Sequence, residues 1–149
     1  MSKTRELIGP SLLSLEKTES LVIFLHGWGS NGNDLIQIAH HWQSLLPNTS
    51  FYAPDGPEEC DIDPIGRQWF SLNDMSNISM RNGVEKAGKD LVSYIENLKN
   101  NFMLNFEKIM LVGFSQGAML ALHLGIIQPF SGILAYSGAL VSNPTNVLQ

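Results

Sequence analysis

The apolar run Ile109-Met110-Leu111-Val112 leads into Gly113-Phe114-Ser115-Gln116-Gly117, and Ala118, Met119, Leu120, Ala121, Leu122 and Leu124 continue in a helical pattern. A strand followed at once by a helix leaves room only for a tight turn. Glycines at 113 and 117 let backbone and helix approach where a Cβ would clash. A serine at the centre of such a G-x-S-x-G turn is pushed above the end of its strand. The helix start beyond it presents N–H groups that lack intrahelical acceptors. A positive φ at Ser115 is expected, with its hydroxyl facing the loop at the end of a neighbouring strand. A small residue that merely fits a tight turn would explain Gly117 but not the glycine-rich loop upstream.

That loop is His26-Gly27-Trp28-Gly29-Ser30-Asn31-Gly32-Asn33, which follows Leu21-Val22-Ile23-Phe24-Leu25, a continuous apolar run that reads as a strand buried on both faces. Asp34 is a candidate cap for the next helix, whose face is read as Leu35, Ile38, Ala39, Trp42, Leu45 and Leu46. Residues 11–15 alternate weakly and suggest an outer strand, and Phe51-Tyr52-Ala53 a short one. Residues 54–81 form a long irregular stretch that Trp69 and Phe70 should keep ordered. A helix is predicted from about Asn82 to Asn100 on the stripe Val84, Ala87, Leu91, Ile95 and Leu98, and a last strand over Ile133–Tyr136. Strands alternating with helices imply an α/β fold, a mostly parallel sheet with helices on both faces. Ligands in such sheets sit at the carboxyl ends of the strands, where both the His26–Asn33 loop and Ser115 fall.

The 149 residues, 44% of them apolar, suffice for one domain with a real core. A net charge of −5, with no clustered Lys or Arg, argues against a nucleic-acid partner. No apolar stretch approaches the ~20 residues of a membrane span. The N-terminus lacks the apolar core of a secretory signal. Cys60 is the one cysteine, which fits a reduced, cytoplasmic setting. Glu58, Glu59 and Asp61 surround it with negative charge, so it reads as a loop thiol rather than a nucleophile.

A serine nucleophile needs a base, a group that orients the base, and donors for the oxyanion. Ser115 supplies the nucleophile. The N–H of Gln116 is one oxyanion donor and that of Trp28 the expected other, with Gly27 and Gly29 letting the backbone turn inward. The base is the missing element. No Asp or Glu follows Ser115, and the one later histidine, His123, lies ~12 Å along the outgoing helix. His26 reads as a residue that holds the shape of its loop, His40 and His41 as first-helix residues facing solvent or packing. No histidine pair makes metal-ligand spacing with a carboxylate, so no metal is assigned, and no cofactor is expected.

Leu25–Gly32, Pro54-Asp55-Gly56-Pro57, Arg67-Gln68-Trp69-Phe70-Ser71-Leu72, Gly113–Ala118 and Ala135-Tyr136-Ser137-Gly138 occur in the order seen in the phospholipase/carboxylesterase family, which includes acyl-protein thioesterases and lysophospholipases. The chain resembles that family from about Ser20 to Leu140. The resemblance implies the α/β-hydrolase fold and cleavage of carboxylic ester or thioester acyl bonds. It implies Ser115 as nucleophile, and Trp28 and Gln116 as the oxyanion hole. Trp69 would line or support an acyl pocket, or be a buried aromatic without substrate contact. Ser71 stands where the family usually has Asp, which puts one local hydrogen bond in question.

The family's acid and base lie on strand–loop units after the Ala135–Gly138 segment. The chain over 1–149 therefore looks like one truncated α/β-hydrolase domain without its last strand–helix units. Two functions follow: a serine esterase or thioesterase, whole or completed by another chain, or an inactive remnant that acts only as a binding module. The partner expected is a small acyl ester or thioester. An uncharged strand at 133–136 left at a sheet edge is also expected to promote self-association.

Overall fold

The computed structural model describes residues 3–141. β2 (Ser20–Leu25) stands at the centre of a five-stranded sheet, its last five residues all buried. On one side it pairs in parallel with β3 (Thr49–Tyr52), which carries the short antiparallel edge strand β1 (Ser11–Leu12). On the other it pairs in parallel with β6 (Ile109–Phe114), and β6 with β7 (Gly132–Tyr136). The spatial order β1-β3-β2-β6-β7 means that the chain leaves β2 toward one edge and later returns to its other side. Such a reversal opens a crevice at the strands' carboxyl ends, here between β2 and β6.

Alternation along these strands feeds two cores. Val22, Phe24, Phe51, Ala53 and Val112 face α1 (Gly32–Trp42) through Ile36 and Ala39. Leu21, Ile23, Leu25, Ile109 and Leu111 face α2 (Asn77–Asn101) and α3 (Gln116–Ile127). Helices thus cover both faces, as expected. All five residues of the predicted α2 stripe are buried.

Helix ends depart from the sequence reading. Asn31, not Asp34, caps α1: its side chain accepts the Asp34 N–H at 3.0 Å, and the helix begins at Gly32. That start turns Ile36 inward, and the helix ends at Trp42, leaving Leu45 and Leu46 exposed. α2 begins five residues before the expected Asn82, because the Ser76 hydroxyl accepts the Ser79 N–H and starts a turn over a polar stretch. The outer strand covers only Ser11 and Leu12, with Leu13 and Leu15 exposed. Within 54–81 the chain forms a small hairpin, β4 (Glu58–Glu59) with β5 (Arg67–Gln68), before Trp69 and Phe70 enter the core.

One long-range tie closes the N-terminal segment onto this frame. Arg5 gives Asp90 of α2 a bond from its backbone N–H at 2.7 Å and another from Nε at 2.8 Å, and its Nη1 reaches Glu58 at 2.8 Å. No helix among the described residues is long and apolar enough to cross a membrane.

Candidate active site

β6 ends at Phe114 and α3 begins at Gln116, so Ser115 alone makes the turn, with φ 54° and ψ −112°. A non-glycine residue held there costs ~1–3 kcal/mol and persists only where its surroundings enforce it. The enforcement is visible. The Ser115 N–H bonds the Tyr136 carbonyl of β7 at 2.8 Å, and its carbonyl accepts the Met119 N–H at 3.1 Å. A Cβ on Gly113 would lie 2.5 Å from the Gly117 carbonyl oxygen, and one on Gly117 2.1 Å from that of Leu25. Both glycines are therefore required for α3 to seat against β6 and β2. The serine itself is exposed while Gln116, Gly117 and Ala118 are buried.

The loop after β2 reaches this turn. A Cβ on Gly27 would sit 3.4 Å from the Ser115 Cβ. His26, fully buried beside it, clasps two chain segments: Nδ1–H donates to the Gly27 carbonyl at 2.7 Å, and Nε2 accepts the Gly56 N–H at 2.8 Å. The acceptor role of Nε2 sets the neutral Nδ1–H tautomer. Burial holds the His26 pKa below its ordinary value; the bond to Gly27 and the charges of Asp55 and Asp34 pull the other way, and Arg67 adds to the lowering. With both nitrogens engaged, His26 shapes the loop and is no base for Ser115. Gly29, at φ 88°, bonds Arg67 through its N–H at 2.8 Å, and the Arg67 N–H returns a bond to Ser30. The β4–β5 hairpin thereby becomes the wall against which the loop rests.

Trp69 is fully buried, stacked on His26 with ring centroids 5.3 Å apart. Its Nε1–H donates to the His26 carbonyl at 2.9 Å, and its backbone N–H to Gln116 Oε1 at 2.8 Å. Gln116 Nε2 donates in turn to the Phe70 carbonyl at 2.8 Å. The side chain of the residue after the nucleophile thus ties the Trp69–Phe70 segment to the turn, a role invisible in a motif that leaves this position free. Ser71, which stands where the family usually has Asp, is itself held by a nearby carboxylate. Asp61 accepts the Leu72 N–H and the Ser71 hydroxyl, each at 2.9 Å. Its slight burial raises the carboxyl pKa, but these bonds and one from Gln68 outweigh that and hold it below the ordinary value.

The remaining expected residues lie away from the turn. His123 is half-buried with its ring against Gly88 of α2, its pKa lowered by burial against the opposing charge of Glu85. His40 and His41 are exposed on α1. Cys60 lies in the loop just after β4, as expected, with its thiol buried near Gly29. One helical turn along α3 from Ser115, a cleft of about 450 Å³ is lined by Met75, Met80, Arg81, Met119 and Leu140.

Known proteins share this architecture. Esterase YpfH of Escherichia coli is 25% identical over 128 residues, 85% of this chain and 55% of its own length. Acyl-protein thioesterase 1 of Schizosaccharomyces pombe is 27% identical over 129 residues, 80% of this chain and 55% of its own. The crystal structure of esterase PE8 superposes with a TM-score of 0.88 at 36% identity, covering 96% of this chain and 68% of that one. The chain spans little more than half the length of the curated relatives it matches. The phospholipase/carboxylesterase family model matches residues 13–147, nearly the whole chain, with the strained serine and the glycine loop both inside the match; the chain belongs to that family.

Proposed function

We propose that this chain is one α/β-hydrolase domain, residues 1–149, carrying the nucleophile half of a serine hydrolase for carboxylic ester or thioester acyl bonds. The observation that carries the reading is Ser115: exposed, strained at φ 54°, and so near Gly27 that a Cβ there would lie 3.4 Å from its own. In the reaction, Ser115 Oγ attacks the acyl carbon as its proton passes to a base. The carbonyl oxygen becomes an oxyanion held by the Trp28 and Gln116 N–H groups. Collapse breaks the C–O or C–S bond, and the alcohol or thiol leaves with the proton. Water then releases the acid from the acyl-enzyme. The cleft beside α3 offers a substrate both methionine thioethers and the polar side chains of Asn77 and Arg81. Trp69, buried and bonded to His26, supports the oxyanion loop from beneath. A buried free thiol suits a reducing cytoplasm.

The base and its orienting acid come from outside residues 3–141 or from a complementing chain. The engaged nitrogens of His26 favour this, and they also support a second reading, a non-catalytic module that binds acyl groups. Hydrolysis of a p-nitrophenyl ester separates the two. The chain alone should give only the ~10³–10⁴-fold acceleration over water that binding and an oxyanion hole provide, little changed in Ser115→Ala. Added imidazole, serving as the base, should raise the rate of the parent chain above that of Ser115→Ala. Equal imidazole-dependent rates would leave only the binding module, and brisk Ser115-dependent turnover without imidazole would reveal a base in this chain.

A further inference from the structure

We propose that Gln68 is a positioning residue for the oxyanion hole, acting through the indole of Trp28. The inference rests on the reading of the Trp28 N–H as an oxyanion donor. Trp28 sits between Gly27 and Gly29, the second at φ 88°. The Trp28 N–H belongs to the Gly27–Trp28 peptide, whose Gly27 side has little intrinsic conformational preference. The peptide's carbonyl is held by the His26 Nδ1–H at 2.7 Å and the Ser30 N–H at 3.1 Å, which leaves the Trp28 end of the peptide to be fixed. The Trp28 side chain supplies the handle: its Nε1–H donates to Gln68 Oε1 at 2.8 Å.

Gln68 is built as a fixed post. It is 2% exposed. Oε1 also accepts the Asp61 N–H at 2.9 Å, while Nε2 donates to Glu58 Oε1 at 3.0 Å and Asp61 Oδ1 at 3.1 Å. Two acceptor and two donor positions are filled, the full capacity of a primary amide. Turning the amide over would set its N–H₂ against two N–H donors and its oxygen against two carboxylates, so the orientation is unique. The adjoining Arg67 bonds the same loop through its backbone, to Gly29 and Ser30. Side-chain and main-chain anchors from β5 thus converge on the three residues Trp28, Gly29 and Ser30. An ordinary hairpin amide would need only its bonds to Glu58 and Asp61; the bond to Trp28 extends that rigidity to the loop beside the nucleophile.

The test follows Ser115 labelling by an alkyl fluorophosphonate in parent, Gln68→Met, Trp28→Phe and the double variant, with hydrogen exchange at the Trp28–Ser30 amides. Trp28→Phe removes the indole N–H and leaves the hairpin bonds of Gln68 in place, so it remains informative if Gln68→Met folds poorly. Each single variant should lower the maximal labelling rate about tenfold, less than the ~10²–10³-fold cost of losing a donor outright. The half-saturating probe concentration should stay unchanged, and the double variant should be no slower than the slower single one. The loop amides should exchange about tenfold faster in Gln68→Met, reporting local opening independently of Ser115 chemistry. Labelling and exchange both like the parent's, or rate losses that multiply in the double variant, would overturn the proposal. Labelling that survives Ser115→Ala would instead strike the nucleophile reading, and the exchange rates alone would then decide whether Gln68 holds the loop.

Discussion

Replacing His26 by alanine removes the clasp between the β2 loop and Gly56. The Gly56 N–H and the Gly27 carbonyl both lose their partners. Leaving a buried polar group unsatisfied costs ~1–3 kcal/mol. The ring's stacking against Trp69 goes as well, leaving a cavity next to a fully buried indole. A loss of about 4 kcal/mol is expected, a large part of the ~5–15 kcal/mol that stabilises a domain. In urea, with a slope near 2 kcal/mol/M, the midpoint should fall by ~2 M. The same residue gives a pH signature. Its folded pKa lies below the ordinary 6.5, so below that pH the unfolded chain binds more protons than the folded one. Its contribution is fully present above pH ~6.5 and is lost as pH falls toward the lowered folded value, where His26 charges in both states. His123, also lowered by burial, adds the same sign, so the His26 share is the difference between parent and variant. A midpoint within about 0.3 M of the parent, or an unchanged pH slope in His26→Ala, would refute the clasp.

Arg5→Ala should destabilise the chain by about 3 kcal/mol in the same urea assay, because it takes the guanidinium from the Asp90 carboxylate, 3% exposed, and leaves that charge only the backbone N–H of residue 5. Arg5→Lys should rescue little, since an ammonium cannot repeat the guanidinium's bonds to Asp90 and Glu58. β7 lies at the sheet edge among the described residues and carries no charged side chain, with Leu134 and Tyr136 exposed. Size-exclusion chromatography at micromolar concentration should therefore show concentration-dependent association, reduced in Leu134→Lys. A monomer at all concentrations, with strong amide protection over 133–136, would contradict this.

The central strands, the α2 stripe and the turn at Ser115 were legible because burial on both faces, helical periodicity and a glycine-flanked serine each leave a local pattern. Helix ends were less so. A cap depends on which side-chain oxygen meets which N–H, and Asn31 and Asp34 are both good candidates until the loop before them is placed. The hairpin at 58–68 was missed because two-residue strands carry no alternation. Gln68, Gln116 and Asp61 act through partners 7 to 47 residues distant, and no spacing rule encodes a bond between Gln116 and Trp69. The histidines were legible by elimination: chain order already placed His123 too far along α3, and the structure assigns both nitrogens of His26.

The central claim is that Ser115 is a nucleophile set before an oxyanion hole. Prolonged reaction of the chain with an alkyl fluorophosphonate, followed by peptide mass spectrometry, tests it directly. A single phosphonyl adduct on Ser115, slow to form and absent from Ser115→Ala, is the result expected. Adducts spread over other serines at comparable rates, or an equal yield from Ser115→Ala, would contradict it.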